Sequence, residues 1–290
     1  DRGISPNVHD EYGKPALVTA CQKGRDMVQL LLDAGADPNV VDHEGTTPVS
    51  NAVICGGPDI LRLLLERGAS PEGRRKGVTK GGTPLIRLAG DGLGGMLGWQ
   101  KDPDVIARFW ARDLEMIGLL IDHGADVEAR DQADGRTALM HAAEKGHEDV
   151  VRALLEAGAK VDARDERNGR TALHWAARNG RAGMVGLLLD AGADLPAEDG
   201  DGLTPEDAAR RGSHHALARD LQARAGDRPR RGRSPVDVLR KAVEAGDADV
   251  IRQALGAGAE VDVRLAGKKT PLMLAAEKGS AAAIEPLLVA

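Results

Sequence analysis

The fold is decided by a ten-residue stretch at 137–146, TALMHAAEKG, which recurs 34 residues later at 171–180 as TALHWAARNG. A second stretch follows each of them, VVRALLEAGA at 150–159 and MVGLLLDAGA at 184–193. Self-similarity at a period of about 20 to 50 residues is the signature of a repeat architecture. Further copies open at Thr47-Pro48, Thr83-Pro84, Thr204-Pro205 and Thr270-Pro271.

Each unit carries the signals of two short helices joined by turns. The opening Thr offers an N-cap oxygen, and Pro fits the first helical position because it needs no hydrogen bond there. Glycines such as Gly146 are expected to end the first helix in the left-handed conformation. The second helix has apolar residues at i, i+1, i+4 and i+5, counted from Val150. One unit cannot bury that face alone, so neighbouring units must stack.

The chain resembles the ankyrin repeat family, because the period near 33 residues, the Thr-Pro-Leu-His-x-Ala-Ala pattern and the Leu-Leu-x-x-Gly-Ala ending recur along nearly all of it. The resemblance implies an all-α solenoid of about eight stacked helix–turn–helix repeats with β-hairpin loops. It also implies a concave groove lined by the hairpin tips and the first helices. The expected units open near Pro15, Thr47, Thr83, Thr137, Thr171, Thr204, Asp237 and Thr270.

The organisation along the chain is predicted in three parts. Residues 1–223 form an array with an insertion at about 90–110 in repeat three, 224–234 form a basic joint or linker, and 235–290 are further repeats, truncated at the C-terminus. Two arrays meeting at the joint and one continuous solenoid are both open, because the 33-residue register runs through it. Both ends cut through repeats, so we expect a fragment of a longer protein.

The insertion in repeat three adds about 20 residues between Thr83 and Gly124. It starts with a glycine-rich loop at 90–98, whose GxGxxG spacing lacks the strand and helix context of a dinucleotide site. From Asp102-Pro103 onward, helical spacing predicts that the second helix is extended by about three turns. Aromatic side chains are enriched at binding hot spots, but they also fold local cores. Both roles are open for Trp99, Phe109 and Trp110.

Composition and motifs exclude several classes of function. Aromatic residues are 2% of the chain and the net charge is −6, which argues against one large aromatic core and against nucleic acid as a partner. His174 stands at the family's repeat histidine and is expected to join hairpin and helix by hydrogen bonds. Trp175 is expected to pack or to contact a partner. We expect no catalysis, cofactor, metal site or membrane span, and the cytoplasm is favoured as the compartment.

The expected groove positions concentrate cations in the middle of the chain. We therefore predict a non-catalytic scaffold for protein–protein interaction that binds an acidic protein or peptide, because arginine pairs carboxylates bidentately. A solvated, internally paired face is the alternative interpretation of the same charges. A regulatory or substrate-recruiting segment of a larger multidomain enzyme is the alternative function. The candidate groove residues are Arg136, His141, Lys145, Arg167, Arg170, Arg178 and Arg211.

Overall fold

The computed structural model describes residues 5–73, 82–90, 92, 102–225, 235–263 and 269–289. The chain divides into two compact units, Asp1–Val161 and Asp162–Ala290. In the described ranges, helices alternate with tight turns, and a single β-bridge joins His9 to Pro15 outside any strand. The predicted all-helical repeat architecture is therefore confirmed.

The first unit contains the helix pairs of repeats one to four. In three repeats a short first helix is followed by a nine-residue second helix, and repeat three has a longer second helix. The helices are α1 (Ala16–Ala20), α2 (Arg25–Asp33), α3 (Pro48–Asn51), α4 (Pro58–Glu66), α5 (Pro84–Gly90), α6 (Pro103–Asp122), α7 (Ala138–Lys145) and α8 (Glu148–Glu156).

The second unit contains repeats five to eight. The first helix of repeat seven begins at Pro235, two residues before the expected opening at Asp237. The helices are α9 (Ala172–Arg178), α10 (Ala182–Asp190), α11 (Pro205–Arg211), α12 (His215–Ala225), α13 (Pro235–Ala245), α14 (Ala248–Gly256), α15 (Pro271–Glu277) and α16 (Ala281–Val289).

Threonine begins the first helices much as predicted. The side-chain oxygen accepts a hydrogen bond from the third helical N–H at Thr47, Thr83, Thr204 and Thr270, with distances of 3.1 to 3.3 Å. Thr137 makes no such bond, and Thr171 forms a capping box with His174, whose Nδ1 lies 2.9 Å from the threonine hydroxyl. The cap prediction therefore holds at Thr47, Thr83, Thr204 and Thr270 and fails at Thr137, for which we find no reason.

Small residues let the helices approach closely in both units. Ala142 and Ala143 of α7 are completely buried, as are Ala176 and Ala177 of α9. The second helices supply larger side chains, and Leu154 of α8 is fully buried as well. Burying a leucine side chain stabilises a fold by roughly 1.5–3 kcal/mol, so the buried leucines that recur in most second helices contribute much of the stability.

The extended second helix of repeat three is confirmed. Helix α6 has 20 residues, where α8 has nine. The difference equals about three turns at 3.6 residues per turn. Asp102 is its N-cap, because Oδ1 accepts a hydrogen bond from the backbone N–H of Asp104 at 3.0 Å. Most of the glycine-rich part of the insertion, 91 and 93–101, lies outside the described residues.

A ladder of side-chain acceptors ties consecutive repeats together. In each rung an Asn, Glu or Asp in the turn before one repeat accepts a hydrogen bond from a backbone N–H in the turn before the next repeat, with distances from 2.7 to 3.0 Å. At 196 the same position holds Pro, which has no side-chain oxygen. The rungs are Asn7 to Asp37, Asn39 to Ser70, Glu72 to Asp126, Glu128 to Lys160 and Asp162 to Asp194.

Repeats seven and eight share one apolar cluster. A polar contact links it to repeat six, because Nη1 of Arg240 lies 3.4 Å from Oδ1 of Asp201. The predicted joint at 224–234 stays a prediction, since 226–234 lie outside the described residues. The members of the cluster are Leu239, Ala242, Val243, Ile251, Ala254, Ala259, Ala275, Ala283 and Leu287.

Repeat two ends its first helix in a π-helical turn without a change in length. Gly68 follows Thr47 by 21 positions, as Gly158 follows Thr137. The chain continues from α3 into a π-helical turn over Ala52–Gly56, and the N–H of Gly57 donates to the carbonyl of Ala52 at 2.9 Å. The same i→i+5 bond closes the first helix of repeat four, where the N–H of His147 donates to the carbonyl of Ala142 at 3.1 Å.

Repeat six places a serine where the other repeats place a glycine. Ser213 has φ +66°, and Gly146, Gly180 and Gly279 occupy the same position with φ between +65° and +88°. The glycine of repeat six is instead Gly212, one residue earlier, and a Cβ at that position would collide with the carbonyl oxygen of Arg178. Close approach of the backbone therefore requires glycine at 212, and the left-handed backbone leaves Ser213 strained.

We expect Ser213→Gly to stabilise the protein by about 0.5–1 kcal/mol, because glycine adopts positive φ without a steric penalty. Ser213→Ala is the matched control, since alanine also lacks the hydroxyl but keeps the Cβ that causes the strain. Urea unfolding of the three proteins measures the difference. A glycine variant no more stable than the alanine variant would show that position 213 carries no strain.

Candidate partner-binding surface

The predicted groove cation of repeat four is held by two carboxylates. Nη1 of Arg136 lies 2.8 Å from Glu144, and Nη2 lies 3.2 Å from Asp134. Only 14% of the Arg136 side chain is exposed. The turn before α7 and the end of that helix are thereby joined, so this guanidinium serves the repeat itself.

His141 is also engaged inside its repeat. Its Nε2 lies 2.7 Å from Oδ2 of Asp131, in the turn that precedes α7. Burial raises the pKa of Asp131, but hydrogen bonds from the backbone N–H of Asp134 and from His141 outweigh it, so the pKa lies below 3.8. Asp131 is therefore a stable anion that orients the imidazole. Lys145 follows one turn later, and it is exposed.

Repeat five builds a related arrangement from Arg170, Trp175 and two aspartates. Nε of Arg170 lies 3.1 Å from Oδ2 of Asp199, and Trp175 Nε1 donates to Oδ2 of Asp165 at 3.1 Å. The guanidinium carbon of Arg170 is 5.4 Å from the centre of the Trp175 ring, within cation–π range. Trp175 is buried, so its packing interpretation is the one the structure supports.

The predicted role of His174 is confirmed. The backbone N–H of Thr171 points at Nδ1 from 3.3 Å, and Nε2 lies 2.9 Å from the carbonyl of Leu203 in the next turn. An acceptor at Nδ1 and a donor at Nε2 define the neutral tautomer. Burial lowers the pKa of His174 below 6.5, against smaller opposing effects of the Leu203 carbonyl and Asp199.

Among the described residues, two of the predicted groove arginines, Arg178 and Arg211, are not held by carboxylates as Arg136 and Arg170 are. Arg178 and Arg211 end α9 and α11, 33 residues apart at equivalent positions, and both are exposed. Within the described ranges, no carboxylate lies at ion-pair distance from either guanidinium. Arg167, in the turn before α9, is exposed as well. The second unit therefore presents a pair of repeated, solvent-facing arginines.

The aromatic residues of the insertion are partly buried where the structure describes them. Phe109 and Trp110 are half-buried on α6. The ring of Trp110 packs against His147, with centroids 3.9 Å apart and a tilt of 46°. Trp110 thus joins the extended helix to the next repeat. Trp99 lies outside the described residues.

The two cysteines are free thiols in different environments. Burial raises the pKa of Cys21 to about 12, which keeps it a thiol, and Cys55 is exposed. Among the described residues, no group of three or more His, Cys, Asp or Glu could hold a metal ion. Nor is any helix in those ranges long and apolar enough to cross a bilayer.

Sequence reasoning did not identify one cationic cluster, at Arg210, His215 and Arg219. These residues face a cavity of about 330 Å³ whose lining also includes Ala218. Two signals were available. The i, i+4 spacing of His215 and Arg219 places them on one helix face, and Arg210 stands where repeats four and five have buried alanines.

The chain matches known proteins in both sequence and structure. The family model described as "Ankyrin repeats (3 copies)" matches residues 2–75 and 106–199, more than half of the chain. The crystal structure of the ankyrin repeat domain of Bcl-3, titled a unique member of the IkappaB protein family, superposes with a TM-score of 0.53. That comparison covers 96% of this chain and 100% of that one at 25% identity.

Curated relatives match over shorter stretches. The mouse B-cell lymphoma 3 protein homolog is 30% identical over 155 residues, which cover 52% of this chain and 30% of that protein. Human ankyrin repeat domain-containing protein 63 is 33% identical over 31% of this chain and 24% of its own length. Mouse 2-5A-dependent ribonuclease is 48% identical over 24% of this chain and 10% of its own length. The chain thus spans less than a third of each of these relatives.

We expect the free energy of unfolding to fall as the pH drops below about 6.5. The unfolded state takes up the His174 proton first, because the folded pKa is lower. His174→Gln keeps a donor and an acceptor but does not titrate. Urea unfolding at pH 7.5 and pH 5.5 should show a larger loss for the wild type. Equal losses in both proteins would contradict this assignment, since the other histidines are common to both.

Proposed function

Because the chain belongs to the ankyrin repeat family, whose repeats are generally protein-interaction domains, we propose that it is a non-catalytic scaffold that binds an acidic protein or peptide. The observation that carries the proposal is the pair Arg178 and Arg211. Both guanidiniums face solvent at equivalent positions of neighbouring repeats, and neither has a carboxylate partner among the described residues.

The contrast with Arg136 and Arg170 sharpens the proposal. Those two side chains are mostly buried and already paired with carboxylates. Recruiting them to a partner would require breaking an existing pair. An exposed guanidinium pays no such cost, and its planar fork matches a carboxylate in a bidentate pair. Long-range attraction between such charges raises the association rate, and salt screens it.

A rigid array suits this role. The turns are fixed by hydrogen bonds such as that from the N–H of Asp165 to the carbonyl of Arg170 at 2.9 Å. A preformed surface loses little conformational freedom on binding, so less of the interaction energy is spent on ordering. Arg178 and Arg211 end helices of this array, where their backbone positions are set by packing.

We expect Arg178→Glu/Arg211→Glu to weaken capture of the partner by roughly tenfold or more and to reduce its salt dependence, because attraction becomes repulsion. The immobilised chain is exposed to native lysate, retained proteins are identified, and a purified one is titrated at 50 and 300 mM salt. Arg224→Glu/Arg252→Glu is the matched control, since it changes the net charge equally at exposed sites elsewhere. If both double variants weaken capture equally, the proposal that the partner is acidic is overturned.

The insertion of repeat three is proposed as a second part of the binding surface. Phe109 and Trp110 are half-buried, so part of each ring remains accessible beside the extended helix α6. We expect deletion of residues 91–101, which removes Trp99, to weaken capture severalfold, and the fold is kept because Trp110 still packs on His147. Circular dichroism controls for folding. Unchanged affinity of the deletion variant would exclude Trp99 and the rest of 91–101 from recognition.

A second candidate function is a regulatory or substrate-recruiting segment of a larger enzyme. The match to mouse 2-5A-dependent ribonuclease favours it, because a protein named as an enzyme contains a stretch 48% identical over 73 residues. Sequencing the complete transcript separates the two candidates. A catalytic domain continuous with this chain supports the second, and further repeats alone support the first.

A further inference from the structure

We propose that the cavity lined by Arg210, His215 and Arg219 binds one anionic side chain, a carboxylate or a phosphoryl group, of the partner. This inference rests on the proposed acidic partner but names a different site from Arg178 and Arg211. The cavity lies between the end of α11 and the beginning of α12, entirely within the second unit.

The shape of the cavity follows from the sequence of α12. His215, Ala218 and Arg219 are separated by three and four residues and therefore share one face of the helix. Ala218 is buried and contributes only a methyl group. The longer side chains of His215 and Arg219 stand beside it and leave an open volume of about 330 Å³. That volume admits an acidic side chain.

The charge of the cavity is set by an unusual residue at 210. Repeats four and five have Ala143 and Ala177 at the equivalent position, and both are fully buried. Repeat six has Arg210, whose Nη2 lies 2.6 Å from Oε1 of Glu206. A charge at this position prevents the apolar packing that an alanine would allow, and Glu206 offsets only that one charge.

Arg219 leaves the cavity with a net positive charge. It is exposed, and in the described part of the chain it forms no ion pair. Arg210 is already oriented, because Nη2 is also 3.3 Å from Oε1 of Gln222. Two guanidiniums at one cavity can donate several hydrogen bonds to the oxygens of a single anion. The two guanidiniums beside the cavity therefore favour an anionic ligand.

The experiment uses the full chain and three small probes: N-acetyl-glutamate amide, N-acetyl-phosphoserine amide and neutral N-acetyl-glutamine amide. Amide chemical shifts are followed by NMR at constant ionic strength. We expect one or both anions, but not the glutamine probe, to shift resonances of 210–222. The relative affinity of the two anions distinguishes a carboxylate from a phosphoryl ligand.

Arg219→Gln should weaken binding of the anion by about tenfold, because one charge-assisted contact is lost. Arg219→Lys should restore part of the affinity, and Arg252→Gln, which removes an exposed charge elsewhere, should leave it unchanged. The proposed anion site is overturned if neither anion binds, or if Arg252→Gln weakens anion binding as much as Arg219→Gln does. Capture of the partner through Arg178 and Arg211 is measured separately, so either proposal can fail alone.

Discussion

Burial of a face that no single repeat can cover is the constraint on which the structure depends. The second helices carry apolar residues that need a neighbour, and most first helices offer alanines small enough to admit one. Met27 and Leu30 of the first repeat show what happens where this face is not covered. They are 51% and 64% exposed, while their counterparts Ile60 and Leu63 in repeat two are buried. Stability therefore increases as repeats stack, and the positions of the turns are set by the helices that they join.

The fold was predictable because the same local sequence signals recur in successive repeats. Thr-Pro openings, glycines at positive φ and the spacing of apolar residues each fix a helix end or face, and together they gave α6 its extension. Irregular positions were harder to predict. The π-turn at Ala52–Gly56 and the left-handed backbone at Ser213 depend on how neighbouring backbone packs, which the local sequence does not show.

The candidate site was predictable only in part. Sequence placed Arg136, Arg170, Arg178 and Arg211 together as one class of groove cation, because all four are arginines at expected groove positions of their repeats. Distances separate them, since two are held by carboxylates and two face solvent. The carboxylate that pairs with Arg170 belongs to Asp199, 29 residues later in the next turn. No local sequence pattern indicates such a pair.

The turn between the two helices of a repeat has a consequence for how such chains diverge. In repeat two the N–H of Gly57 donates to the carbonyl of Ala52, and in repeat four the N–H of His147 donates to the carbonyl of Ala142. The same backbone bond closes both turns although the residues differ, and Ile60 and Leu61 are buried as Val150 and Val151 are. Members of a lineage can therefore exchange side chains at this turn and still share a framework.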